Sequence, residues 1–216
     1  MIRKFAILLI VVLMFNTVAF ADGANNAVDN YFNNKTTYTD LDGFRWAEDA
    51  IYYLAEYGLI KDYNGLVHPE KFISRAEFTK LIIGAFGLYD FDAECDFEDV
   101  DKNSEYYPYI ASAYKLGIIN GTRQGWFGMD EYLLRQDMAT IIYRTTQNYG
   151  TKLTEMPVLD FVDSADIDDY AKEPVSALVG AKAVSGDENY NFLPKSNANF
   201  AEACKILYYI MLKNTW

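Results

Sequence analysis

The chain has 216 residues, 51% hydrophobic and 16% aromatic, with 19 basic residues against 31 acidic ones and a net charge of −12. A field of that sign excludes nucleic acid and anionic membrane as general electrostatic partners, so an anionic ligand would have to be met by a few placed cations. One histidine and two cysteines leave no metal-ligand cluster and no Ser/His or Cys/His nucleophile pairing.

Met1 to Ala21 reads as a targeting segment: a basic start at Arg3 and Lys4, an apolar run from Phe5 to Met14, and a small-x-small cleavage site at Ala19-Phe20-Ala21. The run is shorter than the roughly 20 residues a membrane span needs, and no later stretch is long and apolar enough. The expectation is export and cleavage after Ala21. The mature chain would then hold 17 basic and 31 acidic residues, a charge of −14, with no membrane attachment of its own. Asp22 to Thr37 is Asn-rich and without period, a linker or frayed arm. Cys95 and Cys204 lie far apart, and either a bridge or two buried thiols is open. His68, the only histidine, reads as a loop residue.

From Tyr38 the chain repeats. Copy one carries Asp40, Trp46, Ile51, Gly58, Gly65 and Arg75. Copy two carries Asp99, Ile110, Gly117, Gly121, Gly125 and Arg135, and copy three Asp163, Tyr170, Val175, Gly186 and Phe200. A loop position precedes the Arg position by ten residues each time: Gly65 to Arg75, Gly125 to Arg135, Tyr190 to Phe200. A register held through three copies marks an internal repeat, with units at 38–90, 91–150 and a degenerate 151–216. Each unit reads as helix, glycine-bearing loop, helix. The first helix of copy one runs from about Trp46 to Tyr57 and ends at Gly58; that of copy three carries Pro174 in its first turn. The second helices open on a cap, Ser74 with Glu77 and Asn199 with Glu202. Their stripes, Phe78/Leu81/Ile82, Met138/Ile141/Ile142 and Ala203/Ile206/Leu207, are core. Two short helices cannot bury such a stripe alone, so the units must pack on one another. Strand signal is confined to fragments such as Gly125-Trp126-Phe127.

The repeat resembles the S-layer homology domain. The matches are Tyr38-Thr39-Asp40, Phe97-Glu98-Asp99 and Phe161-Val162-Asp163 at the repeat starts, Trp46-Ala47 leading a helix, the Gly117-Ile118-Ile119-Asn120-Gly121 loop, and Ser74-Arg75-Ala76-Glu77 with Leu134-Arg135-Gln136-Asp137 at the second helices. The resemblance covers Tyr38 to Leu212. It implies an all-α fold, a pseudo-three-fold spindle around a central helical bundle. It also implies a non-catalytic cell-surface anchor whose grooves bind a secondary cell wall polysaccharide bearing pyruvylated N-acetylmannosamine, without cofactor or metal. By position, Arg75 and Arg135 would meet the pyruvate carboxylate, Trp46 would face the sugar, and Asp40, Asp99 and Asp163 would hold groove structure or sugar hydroxyls. Tyr106 and Tyr170 stand at the Trp position of copies two and three, and Gly121 in the groove loop.

Alternatives stand beside these. Trp46 could be core, the repeat-start Asp residues could cap the first helices, and each Arg could pair with a nearby carboxylate. Phe200 cannot replace a guanidinium, so one or two competent grooves are expected. Which Arg partners which aromatic is not readable from sequence. Only Asp22 to Thr37 lies outside the triplet and its leader, so the expected cargo is a separate protein or the triplet itself. The competing function is a protein-interaction module of the envelope, in which an exposed Phe200 meets a partner.

Overall fold

A computed structural model describes residues 37–213. The chain divides into two units, Met1–Tyr38 and Thr39–Trp216. The first, which holds the expected leader, its cleavage site and the arm, lies almost wholly outside the described residues. Everything below concerns the second.

Six α-helices are present among the described residues: α1 Glu48–Glu56, α2 Arg75–Phe86, α3 Tyr107–Lys115, α4 Arg135–Tyr149, α5 Asp169–Gly180 and α6 Phe200–Lys213. Extended pairing there is limited to isolated bridges. The fold is all-α, as the spacing predicts.

Local chemistry places the boundaries. At α2, Ser74 accepts from the Glu77 amide while the Glu77 carboxylate accepts from the Ser74 amide, and Gly87 ends the helix in the left-handed region at φ 63°. Asn199 and Glu202 make the same reciprocal pair at α6, whereas Leu134 offers α4 no side-chain cap. Helices α1 and α3 end on left-handed glycines, Gly58 and Gly117. The equivalent turn after α5 puts Lys182 at φ 61°, where a Cβ is strained. Helix α5 begins at Asp169, so Pro174 lies in its second turn, not its first. The Asp168 backbone starts the helix earlier than the proline suggests.

The pairing of helices is cyclic. Helix α2 packs on α3, α4 on α5, and α6 on α1, so each second helix lies against the first helix of the next copy. The loops before the second helices close the same circuit. The Ile73 amide donates to the Ala198 carbonyl, Ala198 to Leu133, and Leu133 to Ile73, at 3.0, 2.8 and 2.9 Å. Arg75, Arg135 and Phe200 repeat the circuit through their amides, donating to Glu131, Ser196 and Lys71. Every backbone donor freed at a second helix's start is thereby satisfied by a neighbour copy. The apolar stripes point inward: Phe78, Ile82, Ile142 and Leu207 are fully buried. Cys95 and Cys204 are both buried and unbridged, which settles the alternative in favour of two thiols. Burial pushes the Cys204 thiol far above its ordinary pKa.

Candidate functional site

The repeat-start aspartates hold loops. Asp40 accepts from the Val67 and His68 amides, Asp99 from Phe127, Gly128 and Met129, and Asp163 from Phe192 and Leu193, all between 2.7 and 3.2 Å. They clamp the segment that runs into the second helix of their own copy and cap no first helix. For Asp99, burial pushes the carboxyl pKa up, but the three amide donors outweigh it and hold the group below its ordinary value. Gly121 belongs to the same scaffold. A Cβ there would sit 2.4 Å from the Trp126 carbonyl and 2.7 Å from that of Arg123, so only glycine lets the loop close.

Across the ring, three clefts form, and each draws on all three copies. The residue at the arginine position comes from one copy, the facing loop from the next, and the aromatic at the first-helix start from the third.

Arg75 is enclosed, its side chain 8% exposed. Its guanidinium lies over the Phe127 ring at 5.1 Å. Nε donates to the Phe127 carbonyl at 3.1 Å, Nη2 to the Asn120 carbonyl at 3.2 Å, and Nη1 faces Asp137 at 3.5 Å. Burial lowers its pKa, against the pull of Asp137 and Glu131. The aromatic of this cleft is Tyr170, whose hydroxyl donates to Asp137 at 2.5 Å and accepts from the buried Gln136 amide at 2.8 Å. Burial and the Asp137 bond push the Tyr170 hydroxyl pKa strongly upward. All three guanidinium nitrogens are engaged, and a carboxylate already stands before them.

Arg135 sits in an open cleft of about 640 Å³. Its guanidinium lies over Phe192 at 5.3 Å, Nε donates to the Phe192 carbonyl at 2.9 Å, and Nη1 to Glu202 at 2.7 Å. Nη2 has no partner among the described residues. Trp46, 47% exposed, lines the same cleft. Lys205 joins the walls by donating to the Trp46 carbonyl at 2.8 Å. On the loop side stands Asp187, whose pKa is held down by the Asn191 amide and, further off, by Arg135.

The third cleft, about 140 Å³, contains Phe200 in place of an arginine, with Tyr106 as its aromatic. Phe200 is half-buried, so the exposed apolar residue that the protein-interaction reading needs is not there. Lys80 reaches Glu105 at 2.5 Å and lies 5.5 Å from the Tyr106 centroid. Burial pushes the Tyr106 hydroxyl up to about 12.

Sequence reading missed Lys80 and Lys205, five residues after Arg75 and Phe200 in the same register, where Thr140 stands in copy two. The repeat itself carried that signal. It also placed His68 in a loop without the cleft that His68 lines.

Cyclic exchange of helices and clefts built from three copies define the class: an all-α module of three interlocked repeats. Within it, the S-layer homology domain model matches residues 37–79, 96–139 and 160–204. The chain belongs to that family, with three tandem repeats, among the anchoring modules of bacterial cell surfaces. It is 29% identical over 94% of its length to an amylopullulanase of Thermoanaerobacterium thermosulfurigenes, covering 10% of that protein. It is 30% identical over 79% of its length to S-layer protein sap of Bacillus anthracis, and 28% identical over 79% to an S-layer protein of Bacillus thuringiensis subsp. finitimus, covering 21% of each. The chain thus spans about a tenth to a fifth of the length of these relatives.

Proposed function

We propose that the protein is a non-catalytic anchor that binds an anionic, pyruvylated secondary cell wall polysaccharide through the Arg135 cleft. One observation carries this reading: Arg135 keeps Nη2 unpartnered beside the exposed ring of Trp46, in the larger of the two clefts described. A guanidinium edge takes a ketal carboxylate by charge-assisted hydrogen bonds, and the indole face takes the apolar face of the sugar. Lys205 adds a second cation at the wall. Asp187 and Glu202 supply acceptors for hydroxyls. Arg75 serves as a strut between copies one and two.

The test is sedimentation of the protein with purified bacterial wall sacculi, before and after mild acid removal of pyruvate ketals, for Arg135→Glu, Trp46→Ala and Arg75→Lys variants. Binding should fall with ketal removal, with R135E and with W46A, and persist in R75K. Undiminished binding after ketal removal would discard the anion chemistry. Binding lost only in the Arg75 variant would move the site to the other cleft.

A further inference from the structure

The third cleft differs from its siblings in kind. Where they place a guanidinium, it places the ring of Phe200, which has no donor to offer the Val67 carbonyl that stands where Phe127 and Phe192 meet Nε. Its volume, about 140 Å³, is less than a quarter of the 640 Å³ of the Arg135 cleft. It is also well below the roughly 300 Å³ where drug-sized pockets begin, so it has room for one ring. Three aromatic residues line it: Phe200, Tyr106 and Tyr63, the last beside the His68 imidazole at 5.6 Å.

The charges at its mouth are matched among themselves. Lys80 pairs with Glu105, His68 stands 3.9 Å from Glu70, and Glu77 is committed to the Ser74 amide. No cation is aimed at the Phe200 floor, and a carboxylate set there would lose its hydration with nothing in return. A pyranose without a charged substituent has the opposite requirements. Its C–H faces lie on aromatic faces, and its hydroxyl rim bonds to ion pairs that both donate and accept.

We propose that the Phe200 cleft is a subsite for an uncharged pyranose, discriminating against the acidic sugar that Arg135 receives. The inference rests on the polysaccharide reading above only in taking a sugar as the ligand class.

Two side chains make the clefts separately visible to NMR. His68, the sole histidine, reports the Phe200 cleft through its ring resonances. The Trp46 indole N–H, assigned with Trp46→Phe, reports the Arg135 cleft. The chain is titrated with the methyl glycoside of N-acetylmannosamine and, separately, with its 4,6-pyruvate ketal. The plain glycoside should move the His68 resonances saturably, and the ketal should do so about tenfold more weakly while moving the Trp46 signal. Tyr63→Ala, at a half-exposed position outside the core, should abolish the His68 response and spare that of Trp46. Phe200→Arg should reverse the preference at His68. A plain glycoside that leaves His68 unmoved, or a ketal that binds there as tightly, overturns the proposal. A silent Trp46 signal beside a responsive His68 overturns the anionic anchor reading instead and leaves this one standing.

Discussion

Arg75 and Arg135 share a side chain, a helix position and a motif, yet their surroundings give them different work. Arg75→Ala would strip two carbonyls and the Asp137 carboxylate of their donor inside an enclosed site, at a cost of about 3 kcal/mol. Arg135→Ala, at a half-open site, should cost about 1 kcal/mol. Urea denaturation of the two variants checks the difference, and equal losses would contradict the strut assignment. Asp99 yields a pH test. Its folded pKa is depressed, so the stability it contributes is complete above the unfolded value of about 3.9 and drains away as pH falls through the lower folded value. Asp99→Asn should therefore lose about 2 kcal/mol at neutral pH and show a shallower fall in urea midpoint between about pH 5 and pH 3. The register of these residues was legible in the sequence, but their state was not. Each Arg is wrapped by a loop about fifty residues further on, and no local pattern says whether that loop will close over it.

At the scale of elements, most of the helices could be read directly, because caps and glycines are local chemistry. Ser74→Ala should cost about 1 kcal/mol, read from the thermal midpoint. The reciprocal cap at Asn199 is harder to isolate, since the Glu202 carboxylate divides itself, one oxygen on the Asn199 amide and the other on Arg135. The place where the sequence breaks its own pattern is instructive. Copies one and two end their first helices on Gly58 and Gly117, and copy three forces Lys182 into the same left-handed turn. Lys182→Gly should raise stability by about 1 kcal/mol; no gain in the urea midpoint would mean that the lysine side chain compensates locally. Pro174 misled because a proline signals an N-terminus on average, whereas here it rides one turn further in.

Taken whole, the module differs from a linear stack of repeats, in which each unit touches only its sequence neighbours and stability falls in instalments. Here the third copy supplies the Ala198 carbonyl to the first and the α6 face to α1. Removal of residues 151–216 should therefore abolish cooperative folding of the remaining pair, seen as loss of a sigmoidal melt by circular dichroism. A fragment that melted cooperatively would show that two copies suffice. That the units must pack on one another was legible from their stripes. The exchange of partners, second helix to the next first helix, was not, because stripes record what is buried and not against what.

The closed circuit of Ile73, Leu133 and Ala198 also sets how the protein would respond to pulling. In an open row, tension at one end peels units off singly, each rupture involving a single interface. In the circuit, drawing α6 away strains its seam with α1 and its backbone links to the loops of copies one and two together. A load on the last helix is thus shared across the module from the start, and rupture should come as one event at a higher force. For a tether holding a cell's outer coat, that is a useful way to fail.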